Sequence, residues 1–133
     1  MRYLLDTNIV SDLVRHPKGR VARRIRQVGD AHVCTSIIVS CELRYGVAKK
    51  GAAQLSARLD DALARLDVLA FEATADVAYA SIRAALERIG RPIGANDLLI
   101  AAHALALGCT MVTDNGGEFG RIEGLACENW LRP

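Results

Sequence analysis

Short apolar runs alternating with long helical patterns constrain this chain more than any other feature it has. Residues 3–5 (YLL), 32–34 (HVC), 67–71 (DVLAF) and 109–113 (CTMVT) each read as a buried strand, and residues 125–130 as a short closing one. Between them, apolar residues recur at helical spacing. Strands alternating with helices imply an α/β fold built on a mostly parallel sheet of four to five strands, joined by right-handed crossovers and flanked by helices. In such sheets ligands bind in the crevice outside the carboxyl ends of the strands.

Asp6 stands at that place, directly after the first strand. Thr7 or Asn8 is then free to cap the helix behind it, whose apolar face is Ile9, Val10, Leu13 and Val14. Taken alone, Asp6 is well explained as a turn or cap. Arg15 and Lys18, followed by Arg20, Arg23, Arg24 and Arg26 on a second helix, form the most basic stretch of the chain. A solvated helix face is the plain explanation of that stretch. A phosphate-binding rim, giving affinity without sequence specificity, is the functional one.

Thr35 or Ser36 is placed to cap a third helix reaching Lys49 or Lys50, with Ile37, Ile38, Cys41 and Tyr45 as its expected apolar face and Glu42 at the border. Residues 52–66 form an amphipathic helix on Leu55, Leu59, Leu63 and Leu66, and residues 73–89 an alanine-rich one facing inward through Val77, Ile82, Ala85 and Ile89. Residues 95–108 are apolar almost all round, so that helix should be buried, with Gly108 as its stop. Asp97 lies in its first turn, where the helix dipole favours an acid. Asn96 already offers a cap, which leaves Asp97 free for other work. His103 reads as a packed core histidine. After the 109–113 strand come Asp114, Asn115, Gly116, Gly117 and Glu118, again polar residues leaving a strand end.

Bulk properties narrow the classes. A chain of 133 residues is one domain, expected to span 1–133, and its net charge of +2 is too small to coat nucleic acid by charge alone. No apolar run approaches the roughly 20 residues of a membrane span. With an aspartate interrupting the first apolar run there is no secretory pattern either, and a cytoplasmic protein is expected. The four cysteines, Cys34, Cys41, Cys109 and Cys127, contain no C-x-x-C pair and sit among apolar neighbours, so buried free thiols are expected.

If the first and fourth strand ends lie side by side, helix positions 42 and 97 can close one pocket from two sides. Several carboxylates there would repel one another and shift toward protonation unless a cation joined them. Magnesium or manganese suits such oxygen ligands, and the chemistry that follows is metal-assisted attack of water on a phosphodiester.

The motifs LDTNIVSDL (5–13), ELRYG (42–46), PIGANDLLIAAHALALG (92–108) and VTDNGGEF (112–119), with LACENW at 125–130, resemble those of PIN-domain ribonucleases, and in particular of VapC-type toxins from bacterial toxin–antitoxin pairs. They occur in the family's order and span essentially the whole chain. The resemblance implies a PIN-like three-layer fold. It places Asp6, Glu42 and Asp97 on the acidic metal-site positions, with Asp6 and Asp97 as direct Mg2+ ligands. Members differ in the fourth acid; here Glu118 is assigned, Asn115 supports it, and Asp114 is the spare. Thr7, Asn8 and Thr113 complete a polar shell around the carboxylates. By the same resemblance the activity is Mg2+-dependent cleavage of RNA, commonly transfer or ribosomal RNA, that stalls translation and growth. The partners implied are a VapB-type antitoxin whose tail lies in the active-site groove, a second copy in a homodimer, and larger toxin–antitoxin assemblies.

Three other readings compete. A haloacid-dehalogenase-type phosphotransferase needs a second acid two residues after the first, and that position is Asn8. A non-catalytic PIN-like binding module would be supported by loss of a central acid, yet Asp6, Glu42 and Asp97 are all present. A DNA-directed nuclease uses related chemistry, but the chain has no added DNA-binding region.

Overall fold

The computed structural model describes residues 2–133. Five strands, β1 (Tyr3–Leu5), β2 (Val33–Ser36), β3 (Asp67–Leu69), β4 (Thr110–Val112) and β5 (Cys127–Glu128), form one sheet in the order β3-β2-β1-β4-β5, every pairing parallel. The helices are α1 (Thr7–Arg15), α2 (Arg20–Val28), α3 (Ile37–Lys50), α4 (Ala53–Ala64), α5 (Ala75–Arg88), α6 (Ala95–Leu107) and the short α7 (Gly116–Phe119). A 3-10 turn, Asp30–His32, precedes β2, so His32 lies outside the strand assigned to it from sequence.

Parallel strands are covered on both faces, and the central one must then be apolar throughout. Leu4 and Leu5 of β1 are fully buried, as are Met111 and Val112 of β4. The chain steps from β1 through β2 to β3 in one direction, then crosses back to β4 and β5. A right-handed return connection carries α5 and α6 to the face opposite α1–α4. The order reverses between β1 and β4, and that crevice is where a parallel sheet presents its ligand site.

Helix ends follow the local signals. Ser36 caps α3 by accepting from the Ile38 N–H at 3.0 Å, and Gly108 ends α6 at φ +68°, a left-handed conformation open to glycine. His103 is buried as expected. Its Nδ1 shares a 2.8 Å hydrogen bond with Ser36 Oγ, and burial lowers its pKa.

Other expectations fail as well. On α3, Ile37 (39% exposed), Cys41 and Tyr45 (67%) face outward, while Val39 and Ser40 are buried and Leu43 and Val47 half-buried. The helix is apolar on two sides, so its periodicity does not choose between them. On α5, Val77, Ala85 and Ile89 are exposed; Ala75, Ile82 and Leu86 are the buried residues. Only Cys34 and Cys109 of the cysteines are buried, with their sulfurs 4.0 Å apart. Finally, Asn96 does not cap α6: Gly94 occupies the cap position, and the asparagine side chain serves the site instead.

Candidate active site at the carboxyl ends of β1 and β4

The Asp6 N–H still bonds to the Val112 carbonyl at 2.9 Å, which extends the β1–β4 ladder by one residue and holds Asp6 at the strand end. Asp6 is itself the N-cap of α1, a role expected of Thr7 or Asn8. Its Oδ1 accepts from the Thr7 N–H at 2.8 Å, and its Oδ2 accepts from the Thr113 hydroxyl at 2.8 Å. Only 4% exposed, this carboxylate is fixed from both sides.

Thr7, released from capping, donates its hydroxyl to Glu42 Oε1 at 2.5 Å across 35 residues of sequence. Asn96 Nδ2 reaches the other oxygen of Glu42 at 3.3 Å. Glu42 on α3 is thus held between the start of α1 and the first turn of α6, beside Asp97. On the far side, Asn115 Nδ2 donates to Glu118 Oε2 at 2.5 Å, and the Asn115 N–H donates to Thr113 Oγ1 at 3.0 Å. Phe119, fully buried, anchors α7 so that Glu118 is presented next to Asp97.

The four carboxylates feel one another. Desolvation, then the charges of Asp6, Glu118 and Glu42, together with a hydrogen bond to Glu118, push Asp97 from 3.8 up to about 6. Burial raises Asp6 as well, against the hydrogen bonds from Thr113 and Thr7, with Glu42 and Glu118 adding to the rise. No lysine or arginine pairs with any of the four among the described residues. The donor set is all oxygen and unneutralised, the chemistry that a hard divalent cation accepts. In this arrangement, no three acidic, histidine or cysteine side chains among the described residues converge tightly enough to grip an ion. Glu42 is bonded to the neutral side chains of Thr7 and Asn96, and Glu118 to that of Asn115 as well as to Asp97.

Other residues singled out from sequence fall elsewhere. Asn8 is exposed. Asp114 turns away from the carboxylates to accept from Asn129 at 2.8 Å and to pair with Arg132 at 3.3 Å. The basic stretch is divided. Arg15 lines a groove of about 210 Å³ between α1, α3 and α4, with Glu42 at its edge. Arg20, Arg23 and Arg24 line a separate cleft against β5, and Lys18 and Arg26 are exposed outside both. Sequence reasoning missed Asn96 as a partner of Glu42; its place beside Asp97 in the first turn of α6 was the signal available.

The five-stranded parallel sheet with acids gathered at its switch point fits a PIN domain, and the PIN domain family matches residues 3–125. The chain belongs to that family and, within it, to the VapC-type ribonucleases. It is 42% identical to Ribonuclease VapC2 of Rickettsia felis over 98% of each chain. Against the tRNA(fMet)-specific endonuclease VapC of Shigella flexneri it is 35% identical, again over 98% of each. In three dimensions it is similar to the crystal structure of VapBC2 from Rickettsia felis bound to a DNA fragment from their promoter, with a TM-score of 0.91 and 39% identity over 98% of this chain and 99% of that one.

Proposed function

We propose that this chain is the Mg2+-dependent endoribonuclease toxin of a VapBC-type pair, cutting phosphodiesters of transfer or ribosomal RNA in the cytoplasm and so arresting translation and growth. The observation that carries the reading is the cluster of four carboxylates around Asp97 with no cation among the described residues paired to them. Asp6, Asp97 and Glu42 would hold the metal, with Glu118 completing the acidic set. Bound Mg2+, or Mn2+, supplies activation of a water and neutralisation of charge on the phosphate. Thr113 fixes the Asp6 carboxylate, while Thr7 and Asn96 hold Glu42. Asn115 does the same for Glu118 and is itself tied to Thr113. Outer partners of this kind set ligand orientation. The similarity to a tRNA(fMet)-specific endonuclease supports transfer RNA as the first substrate to try.

The groove between α1, α3 and α4 suits the tail of a VapB-type antitoxin. Val14, Leu43, Val47 and Leu55 give it an apolar wall, and it opens at Glu42 onto the acidic pocket, where a basic side chain of the tail would sit.

The test is cleavage of purified transfer and ribosomal RNA by the wild type, with Mg2+ and with chelator, beside Asp6→Asn and Asp97→Asn. Each variant should lose more than about 100-fold in rate while keeping its fold, and chelator should abolish wild-type cleavage. Mapping of cellular RNA 5′ ends after induction then identifies the target. Full activity in either variant refutes the site. Growth arrest without new RNA ends moves the substrate to DNA, and neither effect in folded, antitoxin-free protein leaves a binding module.

A further inference from the structure

The cleft on the β5 side of the sheet lies outside the carboxylate site and is tied to it through Thr113. It has a volume of about 340 Å³ and is walled by Arg20, Arg23 and Arg24 of α2 on one side and by Arg132 on the other, with Glu128 and Trp130 at its base. Arg24 lies over the Trp130 ring at 5.6 Å and within 3.7 Å of Glu128 Oε1, which also accepts from Trp130 Nε1 at 3.1 Å. The one carboxylate of the cleft is therefore engaged in aiming Arg24. Arg20 and Arg23 are exposed and pair with no acid among the described residues. Arg24 is paired with Glu128 and Arg132 with Asp114, so Arg20 and Arg23 carry the unneutralised positive charge of the cleft.

Thr113 joins this cleft to the acidic pocket. Its hydroxyl donates to Asp6 Oδ2 at 2.8 Å, and its N–H donates to the Glu128 carbonyl at 2.9 Å. The next residue, Asp114, is bonded to Arg132 of the far wall. Both sites thus open at the carboxyl ends of adjacent strands. A polyanion lying across that edge meets carboxylates over β1 and β4, then arginines over β5. An isolated anion has no need of that continuity, whereas a nucleic-acid strand does: one phosphate sits at the acids and its neighbours need cations.

We propose that the Arg20–Arg23–Arg24–Arg132 cleft binds backbone phosphates of the RNA flanking the scissile bond, an inference that rests on the ribonuclease reading above. It assigns the β5 side as the direction in which substrate leaves the acidic pocket, and it separates these arginines from Arg15, which borders the other groove.

The test uses the full-length Asp97→Asn protein, fluorescein-labelled oligouridylate and anisotropy titrations across a range of salt. Arg20→Gln with Arg23→Gln should weaken binding at least about 5-fold and flatten the plot of log affinity against log salt by about 0.7 for each phosphate left without its arginine. Arg132→Gln, from the opposite wall, should weaken binding in the same way. Arg58→Gln with Arg65→Gln removes the same charge from α4 and its C-cap and serves as control, with little effect on affinity. Equal weakening in the control pair, or affinity unchanged in the α2 pair with native thermal melts, overturns the cleft. So does an effect confined to binding of an acidic protein partner, which would make the cleft a protein-docking site. Wild-type cleavage of the same RNA is followed in parallel. Cleavage with unaltered binding in the arginine variants removes the cleft alone; binding that depends on the arginines without wild-type cleavage removes the ribonuclease reading and keeps the cleft.

Discussion

At Asp97, burial and three neighbouring carboxylates raise the pKa from 3.8 to about 6, and this has a consequence for stability that metal binding should reverse. A carboxyl whose folded pKa is raised holds its proton more tightly than the unfolded chain does. Its stabilising contribution is fully present below the unfolded value near 3.8 and is lost as pH rises through about 6. Metal-free protein should therefore melt at lower temperature at pH 8 than at pH 5, as judged by differential scanning fluorimetry. Asp97→Asn should reduce that difference, since an amide neither ionises nor repels Asp6. Added Mg2+ should raise the wild-type melting temperature at pH 8 and raise that of the variant less. Superimposable pH profiles for wild type and variant would show that Asp97 does not bear the repulsion.

Among the elements, α6 is tied to the start of α3 by a small buried contact that helps set the spacing of Glu42 and Asp97, beside the Asn96–Glu42 bond. Ser36 caps α3, and its hydroxyl also meets His103 Nδ1 in the middle of α6. The imidazole hydrogen-bonds the backbone of Ala70 as well and stacks edge-on to Phe71, with ring centroids 5.4 Å apart. Ser36→Ala removes a cap and leaves a buried ring nitrogen unpaired, for an expected cost of about 2 kcal/mol in urea unfolding. Because the start of α3 would loosen relative to α6, cleavage should fall too. A cost below about 0.5 kcal/mol would mean that water replaces both bonds and that the packed helix bodies set the spacing.

For the whole molecule, the outward face of α3 is the feature most in need of a partner. Ile37, Cys41 and Tyr45 follow one another every four residues and so share one stripe, all exposed. Val77 (66% exposed) lies on α5, which packs on α6, the helix that also meets α3. Exposed apolar side chains in one stripe favour association, and the homodimer expected from the family resemblance is the association to test there. Ile37→Glu with Tyr45→Glu should convert a dimer to a monomer in light scattering while leaving the circular dichroism spectrum unchanged. A wild type that is already monomeric across the accessible concentration range would assign the stripe to the antitoxin or to another protein.

The strand–helix alternation, the acids at Asp6 and Asp97, the stop at Gly108 and the buried His103 were all legible in sequence. Each depends on local pattern or on a residue type whose neighbours in the chain already constrain it. The order β3-β2-β1-β4-β5 was not legible in full, and it alone brings Thr113 to Asp6 across 107 residues. Which side of α3 turns inward was also hidden, because both sides are apolar and only the packed sheet and helices select one. Six basic residues within a dozen positions looked like one rim; the fold sends Arg15 to one groove and Arg20, Arg23 and Arg24 to another. Asn96 read as a cap until Glu42, 54 residues away, came within reach. Short-range periodicity and strand-end chemistry are written along the chain. Pairing across the sheet and the choice of face are decided by the burial of apolar area and the satisfaction of polar groups over the whole fold.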